Sequence, residues 1–444
     1  AFANKDEGEA ESFLEKQPRT MYDLEMMLEK ELERRQSLLS KFYEQNPALG
    51  VNDWLSWVVL ASDMFIVKSE DKMQSSVIAG YHWFETWGRD AFISLPGLMF
   101  VTGRFEDARR VFLMFKRYFS EGLVPNFVSD ALEEPAYNSV DATLWFADAV
   151  LQYLKYTGDF KFVRENLWGM LKAIIEWFIK GTKHGIRLDG DGLVSHGAQL
   201  TWMDAVVDGQ PVTPRGGKAV EVQALWFNTL KIMELLAKKY SEVDIAEEYA
   251  RMAEKARKSF AEKFWSSEKG YLFDVVNEGF RDDSLRPNQI IAVALDFTML
   301  DKTRNEKIVD AVHRELLTPY GLRTLARNDP KYIGVYTGDR KSRDKAYHNG
   351  TVWPWLLGPF TKAFLKVKGY ADYRREQALS FLLPLFTEQI QKAGLGLISE
   401  IFDGEPPHTP RGCIAQAWSV AEPLRAYVED VTQINPRYAR EIFV

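Results

Sequence analysis

A single cysteine, Cys413, stands in 444 residues. No internal disulfide can form and no thiolate zinc site can be assembled, which suits a reducing, cytoplasmic setting. The histidines number 6 and none has metal-site spacing. Neither a Gly-rich phosphate loop nor a nucleophile elbow occurs, so no cofactor and no metal are expected. Base is not in excess: 56 Lys and Arg against 63 Asp and Glu leave a net charge of −7 without a basic patch, which argues against a nucleic-acid partner. No charge-free apolar run reaches the roughly 18 residues of a membrane span, and the N-terminus lacks the apolar core of a signal peptide. Pro/Ser-rich linkers and low-complexity tracts are missing too. One domain over residues 20–444 is therefore expected, after an acidic, flexible segment 1–19. Residue 1 is Ala rather than Met, which leaves open a processed chain or a piece of a longer one. Nothing in the sequence fixes an oligomeric state.

Aromatic residues, by contrast, are abundant, at 13% with 13 Trp, and helical periodicity runs through the chain. From Val51 onward twelve helical patterns pair into hairpins: 51–66 with 88–101, 104–120 with 139–157, 160–181 with 219–239, 243–265 with 287–298, 302–315 with 347–368, and 371–391 with 412–429. Within a pair the link is short, as at Thr102-Gly103-Arg104 and Thr157-Gly158-Asp159, where Gly is placed for a left-handed helix cap. Between pairs the connections are long, roughly 67–86, 121–138, 182–218, 266–286, 316–346 and 392–411. Short links make neighbours antiparallel, so all the long loops emerge at one end, where loops of that length carry function. The expected architecture is all-α: a closed ring of six helical hairpins with a site at one mouth. A charged helix over 20–46, with Met26, Met27, Leu32, Leu38, Leu39 and Phe42 as its apolar side, is expected to pack on the exterior. Short β hairpins are expected at 270–279 and near 186–194.

The chemistry-bearing residues fall on the long loops. Tyr81-His82-Trp83-Phe84-Glu85-Thr86-Trp87-Gly88-Arg89-Asp90 enters the second helix. Adjacent Arg89 and Asp90 can clamp neighbouring hydroxyls of one sugar, with Tyr81 and Trp87 offering aromatic faces. The plainer reading is a helix-dipole Asp beside a structural ion pair. Trp202-Met203-Asp204 puts a carboxyl beside an apolar pair that raises its pKa, as a general acid at neutral pH needs. On spacing alone the favoured reading of Asp204 is a cap on a turn toward Asp208-Gly209. Glu221, at a helix start, reads as substrate-orienting or capping rather than catalytic. Gly394-Leu395-Gly396-Leu397-Ile398-Ser399-Glu400 suits a carboxylate held at the mouth, or else a surface strand with solvated Glu400 and Asp403. Lys345-Ala346-Tyr347-His348-Asn349-Gly350-Thr351-Val352-Trp353 brings His348, Asn349 and Trp353 toward a sugar subsite, and Arg286 opens another helix at the same mouth. Asn126, Asp130 and Asp141 lie on or beside the second long loop.

A hydrolytic reading needs two carboxylates across one cavity, about 6.5–9.5 Å apart for inversion. Asp204 and Glu400 come from the third and sixth long loops, which face each other across a six-hairpin ring.

Five motifs occur in order: Thr86-Trp87-Gly88-Arg89-Asp90, Thr201-Trp202-Met203-Asp204, Glu221-Val222-Gln223-Ala224-Leu225-Trp226, Tyr347-His348-Asn349-Gly350-Thr351-Val352-Trp353-Pro354 and Ile398-Ser399-Glu400. In these the chain resembles, from about residue 50 to its C-terminus, the amylo-α-1,6-glucosidase domain of glycogen debranching enzymes, relatives of glucoamylases. The resemblance implies an (α/α)6 barrel acting on glycogen, limit dextrin or another branched α-glucan. It implies Asp204 as general acid, Glu400 as general base with inversion, and Arg89 and Asp90 holding the first glucose. Members often carry an upstream β-rich sugar-binding or transferase domain. Neither is seen in this sequence, which reads as the catalytic unit.

Overall fold

The computed structural model describes residues 20–68, 74–129 and 134–443; the expected flexible segment 1–19 and Asp130 lie outside them. Thirteen main helices follow in order among these residues. They are α1 (Met21–Gln45), α2 (Asp53–Met64), α3 (Gly88–Leu95), α4 (Phe105–Arg117), α5 (Asp141–Thr157), α6 (Trp168–Lys180), α7 (Val220–Lys239), α8 (Val243–Phe264), α9 (Gln289–Ala294), α10 (Lys302–Leu316), α11 (Leu357–Lys368), α12 (Asp372–Thr387) and α13 (Ala417–Ala426).

Burial sorts them into two layers. Every residue of α3, α9 and α13 is buried, whereas α8 buries only Ala246, Tyr249, Ala253, Ala256, Phe260 and Phe264, one stripe at helical spacing. The deeply buried helices form a circuit: α3 packs on α5, α5 on α7, α7 on α9, α9 on α11, α11 on α13, and α13 back on α3. The striped helices pack outside it, α8 on α7, α10 and α12 on α11, α2 on α13. The turn Pro96–Phe100 packs tightly against α13. A Cβ on Gly97 would overlap the Ala421 backbone carbonyl. Gly97→Ala is therefore expected to destabilise the fold by about 1–3 kcal/mol, an overpacking cost, read as a lower Tm.

The turn glycines behave as their sequence context indicates: Gly103 and Gly158 take φ of 73° and 62°, and the Gly158 N–H closes α5 on the Leu154 carbonyl at 2.8 Å. Three expected helix starts are corrected. α11 begins at Leu357 rather than at 347, because Val352–Trp353 are drawn into a strand ladder with Gly321–Arg323 and Phe402. α13 begins at Ala417 rather than at 412, because Ala415–Gln416 pair with Gly80–Tyr81. α9 is only Gln289–Ala294, not 287–298. The hairpin near 186–194 forms as Arg187–Leu188 against Val194–Ser195. At 270–279 there are instead two ladders, Trp265–Ser266 with Tyr271–Leu272 and Val275–Asn277 with Phe280–Asp282. α1 starts on a Thr20–Asp23 capping box, but of its expected apolar side only Phe42 is buried; Met27 and Leu32 stay more than half exposed. Among the described residues no helix is long and apolar enough to cross a membrane.

Candidate active site

Short β links at the ends of the buried helices gather the loops. The pairing of Trp87 with Phe127 and of Gly80–Tyr81 with Ala415–Gln416 fixes the entry to α3. Arg89, the second residue of that helix, is buried with its guanidinium spread over three acceptors. Nε donates to both oxygens of Asp141 at 2.9 Å, Nη2 to Ser139 Oγ at 3.2 Å, and Nη1 to Asp204 Oδ2 at 3.3 Å. Of its five N–H groups at least one on each Nη is left for a ligand. The side chains of Arg89 and Asp141 are 3% and 1% exposed, but that of Asp204 is 30% exposed. Asp141 is thus the structural partner of the arginine, and Asp204 the carboxyl that a ligand can reach.

Burial raises the Asp204 carboxyl above the ordinary carboxylate range, Asp141 adds to the rise and Arg89 opposes it. Asp90, buried beside Arg89, accepts from Gln416 Nε2 at 3.2 Å. Burial pushes it up to about 7 against the pull of Arg89, with Asp204 and Glu400 adding repulsion. Asp204 and Glu400 therefore each lie within electrostatic reach of Asp90.

Glu400 arrives on the segment that leads into α13. The Phe402–Val352 ladder sets its segment beside the Tyr347 loop. Its Oε1 accepts from the Tyr347 hydroxyl and its Oε2 from the Cys413 N–H at 2.8 Å. Gly412, at φ 67°, leaves the room this needs, since a Cβ there would overlap Oε2. Burial pushes Glu400 up to about 7, while the Tyr347 and Cys413 hydrogen bonds pull it down.

An aromatic floor joins the two sides. Trp202 meets His348, Trp353 and Trp355 edge-on at 5.2–5.4 Å, and His348 stacks on Trp353 at 5.4 Å. Trp202 Nε1 donates to Asn288 Oδ1 at 2.7 Å. The His348 ring is fully buried with neither nitrogen partnered. Burial and then Arg286 hold its pKa far below the usual value, so it is a neutral imidazole. Arg286 braces this loop, donating to the His348 carbonyl at 2.6 Å and to Asn349 Oδ1 at 2.9 Å. Below the floor, Trp355 also lines a cavity of about 50 Å³ with Asp148, Gln152, Lys362 and Arg425. That is room for a few waters and too little for a sugar.

Of the residues singled out in the sequence, Arg89, Asp90, Asp204 and Glu400 converge, and Trp202, Arg286, His348, Asn349 and Trp353 join them through the floor. Three others are engaged differently. Glu221 gives both oxygens to Arg215, which also binds Asp274. The Tyr81 hydroxyl donates to the Met64 carbonyl at 2.8 Å. Trp87 packs its ring 4.9 Å from Phe127. Tyr347, Ser139 and Arg215 were given no role from sequence. Glu400, Arg89 and Asp274, the partners that tie them into these networks, lie 53, 50 and 59 residues away, although Ser139 also bonds Asp141 and Arg215 also bonds Glu221 nearby. Among the described residues no group of three or more His, Cys, Asp and Glu is arranged to hold a metal ion.

The chain is similar in sequence to known proteins. A family model described as amylo-alpha-1,6-glucosidase matches residues 60–425. The glycogen debranching enzyme of Saccharomyces cerevisiae is 27% identical over 374 residues, covering 64% of this chain and 24% of the yeast protein. The N,N'-diacetylchitobiose phosphorylase of Vibrio furnissii is 22% identical over 233 residues, 49% of this chain and 28% of that protein. The chain spans about a quarter of the length of these curated relatives. With the family match running over most of its length, the chain belongs to the amylo-alpha-1,6-glucosidase family.

Proposed function

We propose that this chain is the catalytic domain, residues 20–444, of an exo-acting glycoside hydrolase that removes single α-1,6-linked glucose stubs from glycogen or a limit dextrin with inversion. In this reading the circuit of buried helices and the striped helices around it form an (α/α)6 toroid, and the aromatic floor is the base of the first sugar subsite. The observation that carries it is the contrast between the two carboxyls of a family member's site. Asp204 is partly exposed and held by Arg89, while Glu400 is buried and aimed by Tyr347 and Cys413. Asp204 protonates the glycosidic oxygen as Glu400 takes a proton from water on the opposite face of the ring.

The test follows glucose release by proton NMR from a limit dextrin trimmed to single glucosyl stubs and, separately, from linear maltooligosaccharides. β-Glucose appearing first, from the branched substrate alone, is the expected result. β-Glucose mainly from linear chains would move the protein to a glucoamylase- or trehalase-like activity, and binding without release to a glycan-binding barrel. The Vibrio relative suggests one more arm, phosphate in place of water. Phosphate-dependent glucose 1-phosphate would support it, but a carboxylate poised to activate water favours hydrolysis.

Tyr347 gives this reading a pH signature. Its hydroxyl lowers the Glu400 pKa, and a general base works as the carboxylate, so activity falls as the pH drops through about 7. Tyr347→Phe removes that hydrogen bond and raises the Glu400 pKa further. The acid limb of kcat/KM is expected to move to higher pH, while the alkaline limb stays in place.

A further inference from the structure

A second concave surface lies behind the wall of the site. It is a groove of about 900 Å³ between the Arg187–Ser195 hairpin and the Val275–Asp282 hairpin, within the size range of small-ligand sites. Its wall toward the candidate active site is one backbone thick. His196 and Gly217 exchange N–H···O bonds of 3.0 and 2.9 Å. Ser195 and Lys218 line the groove, while the next side chain along, that of His196, is buried on the far side near Asp141, the partner of Arg89. Side chains alternate across an extended strand, so groove and site stand back to back.

The chemistry of the groove points to a neutral, polyhydroxylated ligand. At its rim Phe280 is 57% exposed, the first strand residue after the two-residue turn Glu278-Gly279, where Gly279 takes φ 72°. An aromatic face of this kind can cover the C–H face of a pyranose. Planar polar groups flank it: Asn277, and Arg281, whose guanidinium is 5.4 Å from the Phe273 ring centroid. The cations lining the groove are largely spent. Lys218 is paired with Asp189 at 3.1 Å and Asp191 at 2.7 Å, Lys263 with Asp191, and Arg187 with Asp189 at 3.2 Å. A phosphate or polyanion would meet little net field there, whereas hydroxyls find both donors and acceptors.

We propose that this groove is a second glycan-binding site, taking a linear α-1,4-glucan segment with one ring stacked on Phe280. The choice of glucan rests on the hydrolase reading above, whose substrate is a polymer of α-1,4-linked chains. The segment stacks on Phe280, and its hydroxyls bond Asn277, Arg281 and Asp189. Occupancy raises the local concentration of polymer without touching the reacting bond.

Native affinity electrophoresis in gels containing glycogen or maltoheptaose tests this without any turnover. Phe280→Ala, at an exposed hairpin tip, is expected to weaken retention about tenfold in apparent Kd, and Phe280→Trp to retain or strengthen it. In parallel, kcat/KM for α-glucosyl fluoride, too small to span both sites, is expected to stay within about twofold of the parent. Unchanged retention of Phe280→Ala, or a parent that neither gel retards, would overturn the proposal. So would a loss of fluoride hydrolysis matching the loss of binding, because Phe280 would then act through the site. A parent that is retarded through Phe280 yet releases no glucose from the dextrin keeps the groove and removes the hydrolase reading.

Discussion

Asp204→Asn and Glu400→Gln are each expected to lower kcat on an α-1,6-linked glucosyl stub by at least about a hundredfold, the low end for general acid–base catalysis, in proteins that remain folded. The two losses should differ with the leaving group. Fluoride departs without a proton, so a variant lacking only the general acid recovers much of its rate on α-glucosyl fluoride. A variant lacking the group that activates water recovers nothing. Asp204→Asn is expected to behave in the first way and Glu400→Gln in the second. The comparison matters because burial raises both carboxyls, Glu400 to about 7 and Asp204 against the pull of Arg89, so a raised pKa does not by itself assign the roles. Geometry separates the roles instead, since Asp204 is 30% exposed beside Arg89 and both Glu400 oxygens are held by donors. The opposite leaving-group pattern would exchange the two roles, and wild-type turnover in either variant would remove that carboxyl from the mechanism.

Stability should move against activity. A carboxyl whose pKa rises from 4.5 in the free side chain to about 7 in the fold costs stability progressively as the pH climbs from about 4.5 through 7, because the folded state keeps a proton that the unfolded state has released. Glu400→Gln removes that cost. Its Tm is expected to exceed the parent's at pH 8, with the gap closing toward pH 5, where the parent's Glu400 is protonated in the fold. A parent more stable than the variant at pH 8 would show that the Tyr347 and Cys413 hydrogen bonds outweigh the burial of charge.

How far the sequence reaches is set by the range of the interactions involved. The alternation of helices is a local signal, carried by apolar spacing and by residues such as Gly158, whose left-handed cap ends its helix. The two-residue ladders at Val352–Trp353 and Ala415–Gln416 are non-local: their partners come from other loops, distant in sequence, and leave no periodicity, so both helix starts were placed too early. The site divides in the same way. Asp204 and Glu400 stand out because each is a carboxyl beside apolar neighbours on a long loop. The use of Arg89 is hidden, since Asp141 lies 52 and Asp204 115 residues away. α1 fails for a different reason: its apolar residues satisfy a helical stripe, but the rest of the fold covers only the end near Phe42.

Glu221 shows most clearly how much the three-dimensional partner decides. A helix-start glutamate on a long loop reads as substrate-facing, yet here it is 2% exposed and faces Arg215. Arg215 donates to Glu221 Oε2 at 2.6 Å, to Asp274 at 2.7 and 3.1 Å, and to Thr201 Oγ1 at 3.0 Å. Asp274 in turn accepts from Asn288 Nδ2 at 2.7 Å, and Asn288 accepts from Trp202 in the aromatic floor. Arg215→Met would strand two buried carboxylates. Breaking a buried pair by removing one partner costs about 3–5 kcal/mol, so this variant is expected to lose at least that much in urea unfolding, or to fail to accumulate as folded protein. Neutralising the acids as well, with Glu221→Gln and Asp274→Asn on Arg215→Met, is expected to restore more than half of the loss, because the penalty lies in uncompensated charge and not in the missing side chain. Glu221→Gln alone separates the two readings of this residue. A structural glutamate gives a lower Tm with KM unchanged, and a substrate-binding one gives a raised KM at parental Tm. The first outcome is expected, since neither carboxylate oxygen is free of the arginine.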